Sequence, residues 1–167
     1  MEYHGVVKQI VDLLTENALW FETFTHDPVM TSEGAAKTRP GYTLSQGAKA
    51  LIVKIEKRNK ETGFYMLVLP AHLKLDSKKV KRALDIKSFR FASEEEISVV
   101  THGVQRGAIP PFGTLFGIKV YTDPSLFANE KIVFNAGDRR FSIAMKSVDY
   151  ATVVKSERFD MSEIQQG

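Results

Sequence analysis

Apolar positions recur along this chain at two spacings, and the change from one to the other divides it into elements. Val6, Val7, Ile10, Val11, Leu13 and Leu14 follow the helical period, so about the first 15 residues are expected to form an amphipathic helix. Between Trp20 and His26 the pattern alternates around Phe21, Thr23 and Thr25, which predicts a strand. Asp27-Pro28 ends it, because proline lacks a backbone donor and restricts the residue before it. Thr31 or Ser32 is placed to cap a short helix through Glu33, Gly34, Ala35 and Ala36, and Pro40-Gly41 marks a loop. Residues 48–56 and 64–69 are rich in apolar and β-branched side chains, so a hairpin of two buried strands is expected, with a charged tip at 57–63 and Pro70 at its end. Asp76 caps a helix with Val80, Ala83 and Leu84 as its stripe; residues 88–91 form a short strand, and Ser93 with Glu96 makes a capping box for another helix.

Residues 101–113 break both periods. The run Thr-His-Gly-Val-Gln-Arg-Gly-Ala-Ile-Pro-Pro-Phe-Gly holds three glycines and two prolines, too many for a regular helix or a central strand. A strand follows over 118–121 and Asp123-Pro124 ends it. Strands at 132–134 and 141–145 are expected to pair across Ala136-Gly137-Asp138, and Ser147 or Asp149 starts a last helical turn or two. Residues 159–167 form a polar tail that is expected to fray. Strands and helices alternate irregularly, with hairpins and no internal repeat. The fold class expected is therefore α+β: one domain over residues 1–158, on a mixed, mostly antiparallel sheet flanked by helices.

Composition narrows the function classes. The 167 residues are 43% hydrophobic and 26% charged, as in ordinary globular proteins. There is no cysteine, which removes disulfides, thiolate metal sites and cysteine nucleophiles. Apolar runs such as Met66-Leu67-Val68-Leu69 fall far short of a membrane span, and the start of the chain shows no secretory pattern, so a cytoplasmic location without a membrane partner is expected. Net charge is only +3, from 23 basic and 20 acidic residues, but it is unevenly spread. Lys74, Lys78, Lys79, Lys81, Arg82, Lys87 and Arg90 crowd one stretch, and Lys54, Lys57, Arg58 and Lys60 another, which suggests either one positive face or merely solvated side chains.

Little conventional catalytic chemistry is visible. His4, His26, His72 and His102 sit at no metal-motif spacing, so no metal is expected. There is no Gly-x-Ser-x-Gly elbow, and Gly103, Gly107 and Gly113 match neither a dinucleotide fingerprint nor a P-loop. The glycine-proline loop could display backbone N–H groups to an oxyanion or a carbonyl, or could be a turn the fold needs. Lys49, between Ala48 and Ala50 at the head of a buried strand, reads either as a fixed cation awaiting an anion or as a lysine that snorkels to water.

Three blocks in order, Thr31-Ser32-Glu33-Gly34-Ala35-Ala36, Gly47-Ala48-Lys49-Ala50-Leu51-Ile52-Val53 and Gly103 to Gly113, resemble the YbaK/prolyl-tRNA synthetase editing-domain family of aminoacyl-tRNA deacylases. Asp123-Pro124-Ser125-Leu126 and Ala136-Gly137-Asp138 extend the likeness, which runs from about Val6 to Val154. The resemblance implies a partly barrel-like fold and a free-standing enzyme that hydrolyses mischarged aminoacyl-tRNA in trans. It implies tRNA as partner, with an aminoacyl-tRNA synthetase associated in some members, and no cofactor. Lys49 matches the family's lysine for the phosphate of the terminal adenosine. Gly107, Ala108, Ile109, Pro110 and Pro111 match the Gly-x-x-x-Pro loop that faces the aminoacyl carbonyl. No side chain is assigned as base; the neighbouring ribose hydroxyl helps to activate water. Met30, Thr31, Ser32, Gly103, Ala136 and Gly137 are expected around the substrate, and Lys78, Lys79 and Arg82 at the tRNA. Pocket size implies a small residue, alanine, serine, threonine or cysteine, and the Gly-Ala-Lys-Ala-Leu block is closer to free-standing members than to the cysteinyl-tRNA(Pro) subgroup. His102 and the doubled Pro110-Pro111 depart from the family pattern. A non-catalytic module holding the tRNA 3′ end, and an esterase for another small conjugate, remain the alternatives.

Overall fold

The computed structural model describes residues 2–29 and 31–165, with the backbone alone for Ser32. Helix α1 (Gly5–Glu16) buries Val6, Val7, Ile10 and Leu14, the stripe read from the sequence. His4 caps it: Nδ1 accepts from the Val6 N–H, so Nε2 carries the proton and donates to the His102 carbonyl at 2.8 Å. Strand β1 (Phe21–Thr25) and the short helix α2 (Ser32–Ala36) follow, α2 capped by Thr31. The hairpin β2 (Ala48–Lys57) and β3 (Thr62–Pro70) is antiparallel, Lys49 lying opposite Leu69. Then come β4 (Leu73–Leu75), α3 (Ser77–Leu84) capped by Asp76, β5 (Ile86–Phe91) and α4 (Glu94–Thr101) with its Ser93–Glu96 capping box. The second half holds β6 (Lys119–Thr122), β7 (Lys131–Asp138), β8 (Phe141–Lys146), α5 (Ser147–Val154), β9 (Glu157–Arg158) and β10 (Ser162–Ile164).

These strands form a five-stranded sheet in the order β5-β2-β3-β6-β9, a three-stranded sheet β1-β8-β7 and a pair β10-β4. The large sheet is mixed: β2 runs antiparallel to β3 and β5, while β3, β6 and β9 run parallel. A bridge between Gly47 and Val133 joins the two larger sheets, which among the described residues do not close into a full barrel. Both faces of the large sheet are covered, which is why β3 reads as an unbroken apolar run. Ile52, Met66, Val68 and Val120 pack on one side with α1, β7, β8 and α5. Val53, Ile55, Leu67 and Leu69 pack on the other with Val80 of α3, Tyr121 and Met161. Each such side chain contributes about 1.5–3 kcal/mol by leaving water.

Two expectations need correction. Ala136-Gly137-Asp138 is not the turn between β7 and β8; the turn is Arg139-Arg140, and the first three residues lie within β7. The pairing slips there, from Asn135–Ser142 to Asp138–Phe141, leaving Ala136 and Gly137 as a bulge. Gly137 has φ +107°, and a Cβ on it would stand 2.0 Å from Cγ1 of Val6, so the bulge is where α1 closes on the sheet. The stretch expected to fray after residue 158 is ordered as far as β10: Met161 is buried, its N–H donates to Asp123, and β10 pairs with β4.

Candidate active site

A cleft of about 500 Å³ opens between the two larger sheets, beside their bridge at Gly47. Its floor is apolar, from Ala48, Ala50, Ile52, Ala92, Ile97 and Val133. Its polar groups include Thr31, Arg39, Lys49, Glu94, Arg106, Asn135 and Arg139, with the backbone of Gly107.

Lys49 is half-buried because its strand drives into the sheet. Burial lowers its pKa below the ordinary lysine value, against a smaller upward pull from Glu33. Its Nζ donates to the Leu73 carbonyl at 2.8 Å. An ammonium has three donors, so two remain for an anion.

The loop after α4 is held on all sides. His102 and Gly103 end the helix with positive φ, +56° and +92°. His102 is exposed and its carbonyl receives His4, so its side chain stands outside the cleft. Gly107 has φ +90°, a conformation that favours glycine. Ala108 donates its N–H to the Gln105 carbonyl at 2.9 Å, closing a turn. The Gly107 carbonyl accepts from Nδ2 of Asn135 at 2.7 Å, and the Arg106 carbonyl accepts from the Arg139 guanidinium. Both carbonyls are thus tied down, while the Gly107 N–H has no acceptor among the described residues. Pro110, Pro111 and Phe112 are buried behind the loop: Tyr150 donates to the Pro111 carbonyl at 2.6 Å, and Phe112 packs between Phe134 and Tyr150.

Behind the loop lies a polar cluster the sequence did not announce. Arg39 is only 5% exposed, yet among the described residues no carboxylate meets it. Its Nε donates to Oγ of Ser142 at 3.0 Å and its Nη2 to Oδ1 of Asn135 at 2.9 Å. Burial alone pulls its pKa down to about 10, still well above neutrality, so it stays charged. Nη1 has no hydrogen-bond partner among the described residues and is not fully buried, and Arg39 lines the cleft. His26 completes the cluster: Nδ1 faces the Asp27 carbonyl and must carry a proton, and Nε2 lies 2.8 Å from Oγ of Ser142. That pair has the spacing of a nucleophile and its base, but Ser142 is fully buried, is not part of the cleft wall and is already bonded by Arg39. It orients Arg39 and Asn135 instead.

Of the residues expected at the site, Lys49, Thr31, Gly107 and Ile109 line the cleft, while Ala108, Pro110 and Pro111 lie just beneath it. Met30 and the side chain of Ser32 fall outside the described residues. Gly103 stands near His4, and Ala136 and Gly137 turn into the core against α1; their neighbour Asn135 takes the cleft position. On α3, Lys78 and Arg82 are exposed, whereas Lys79 is bound to Asp160 and to the Ser162 carbonyl. Among the described residues no three His, Asp or Glu side chains gather as metal ligands, and no helix is long and apolar enough to cross a membrane.

The chain as a whole has counterparts among known proteins. The multifunctional Ser/Thr-tRNA deacylase ProXp-y of Escherichia coli K12 is 32% identical over 151 residues, 90% of this chain and 89% of the deacylase. A proline–tRNA ligase of Ralstonia pickettii is 27% identical over 119 residues, 71% of this chain but 21% of the ligase. A solved structure offered as a trans-editing enzyme for prolyl-tRNA synthetase superposes with a TM-score of 0.80 at 20% identity, covering 97% of this chain and 99% of that one, a likeness of fold. The sequence profile of the aminoacyl-tRNA editing domain matches residues 26–153, and the chain belongs to that family.

Proposed function

We propose that this protein deacylates mischarged tRNA in trans, and that the amino acid it removes is small and carries a hydroxyl. One observation carries the reading: an ammonium and a tied-down loop with a free N–H converge on a single cleft whose floor is lined by alanine. Lys49 takes the phosphate that precedes the terminal adenosine. The Gly107 N–H donates to the ester carbonyl oxygen, where negative charge develops as water adds to the carbonyl carbon. The bond to the ribose oxygen then breaks, and the proton from water ends on that oxygen. Asn135 and Arg139 keep the loop from relaxing as charge grows. The ribose hydroxyl next to the ester relays the proton, as the family resemblance suggests.

Two features support a hydroxylated substrate. Arg39 offers a charged donor that a seryl or threonyl oxygen satisfies and an alanyl methyl leaves unpaired, a pattern that discriminates strongly. The E. coli relative is named for serine and threonine. The test is a panel of seryl-, threonyl-, alanyl-, cysteinyl- and prolyl-tRNA. Seryl- and threonyl-tRNA should be hydrolysed fastest. Arg39→Met should shrink the seryl-to-alanyl ratio by about 10- to 150-fold, the value of a hydrogen bond to a charged group. Binding of every tRNA with release of none would establish the non-catalytic module in place of the enzyme.

A further inference from the structure

Lys49 borders two depressions. Besides the main cleft, a second groove of about 330 Å³ runs toward α3. Lys49, Leu51 and Phe91 line both. Of the large apolar side chains left exposed among the described residues, only Phe91, at 56%, lines either depression. Lys74, exposed and without an acid partner, lines the second groove, and no acidic residue does. An exposed aromatic ring sharing with two lysines a groove that no carboxylate lines fits a single-stranded nucleotide, whose base stacks and whose phosphates need cations.

The chain of a nucleic acid supplies the rest. A phosphodiester joins two nucleosides, so a phosphate held by Lys49 with the terminal adenosine in the main cleft must carry its other nucleoside away on the far side of Lys49. We infer that the second groove holds the nucleotide immediately 5′ of the terminal adenosine, its base stacked on Phe91 and its own 5′ phosphate near Lys74. This rests on the reading of Lys49 given above.

The test compares an aminoacylated adenosine 5′-monophosphate with an aminoacylated cytidylyl-adenosine, and the binding of both in uncharged form. The dinucleotide should bind more tightly and be deacylated with higher kcat/KM. Phe91→Ala should cut its binding by about 5- to 150-fold, the worth of one base–aromatic stack, and affect the mononucleotide far less. Phe91→Trp should restore the dinucleotide. A tRNA abasic at the penultimate position should suffer no added loss from Phe91→Ala. The inference is overturned if wild-type protein binds the dinucleotide no better than the mononucleotide, or if Phe91→Ala weakens both equally. Wild-type protein that binds the dinucleotide through Phe91 yet leaves every ester intact would overturn the deacylase reading and sustain this one. Thermal melting of Phe91→Ala, an exposed position, confirms that the fold is unchanged.

Discussion

The half-buried Lys49 is expected to tie stability to activity in opposite directions. Burial lowers the Lys49 pKa, so the folded protein prefers its neutral form more than the unfolded chain does. Carrying the charge therefore costs stability at every pH below the lowered value, and that cost fades as pH rises toward the ordinary lysine pKa of 10.5. Lys49→Met should hold or raise Tm at neutral pH, the gain disappearing in strongly alkaline buffer, while deacylation falls by about 10- to 150-fold. Melting curves across pH beside single-turnover rates check both halves; a variant that melts lower and turns over normally would make Lys49 structural. The oddity of this lysine was legible in the sequence, because a cation between two alanines at the head of an apolar strand breaks the local pattern. Arg39 was not legible. It precedes Pro40-Gly41 in a polar loop, and the partners that bury it, Asn135 and Ser142, lie about a hundred residues away.

At the scale of elements, α3 shows how spacing and tertiary contact divide a basic run. Lys78, Lys81 and Arg82 stand three and four residues apart, one stripe of the helix, and all are exposed without an acid partner. Lys79 lies off that stripe and is spent on Asp160 and the Ser162 carbonyl. Elsewhere Arg58 meets Asp85, Lys87 meets Glu56 and Arg90 meets Glu96, so much of the apparent positive charge is neutralised on the surface. Reversing Lys78, Lys81 and Arg82 to Glu should weaken tRNA binding and flatten its salt dependence by roughly two to three units of log–log slope, with hydrolysis of an aminoacyl-adenosine unchanged. Filter binding over a salt series measures this, and an unaltered slope would remove α3 from the interface. The stripe is readable from spacing alone. The loss of Lys79 is not, because Asp160 is 81 residues away and sits in a segment whose polarity suggested fraying. Helix caps at Thr31, Asp76 and Ser93 were legible because each is a local signal. The short strands β4, β9 and β10 were not, since two or three residues carry no period.

For the molecule as a whole, packing depends on close approaches that glycine permits. Gly137→Ala would force a methyl into Val6 at a positive φ, combining overpacking with backbone strain. A loss of about 2–5 kcal/mol is expected, lowering Tm by about 5–15 °C, since each kcal/mol shifts a protein of this size by a few degrees. Calorimetry checks it, and an unchanged Tm would mean that α1 can slide at no cost. The α+β class and the β2–β3 hairpin followed from periodicity; the separation into three sheets did not, because it depends on which strand edges meet. The pair β4–β10 also links the C-terminal segment to Lys49. The Leu73 carbonyl that receives the Lys49 ammonium also receives Nε2 of Gln165, and β4 pairs with no strand but β10. A purification tag or fusion partner joined behind Gln165 would therefore follow β10, the strand paired with the one whose Leu73 carbonyl holds the ammonium. On the proposed role of Lys49, such a tag should weaken substrate binding at a residue 116 positions earlier in the chain, counting from Lys49 to Gln165.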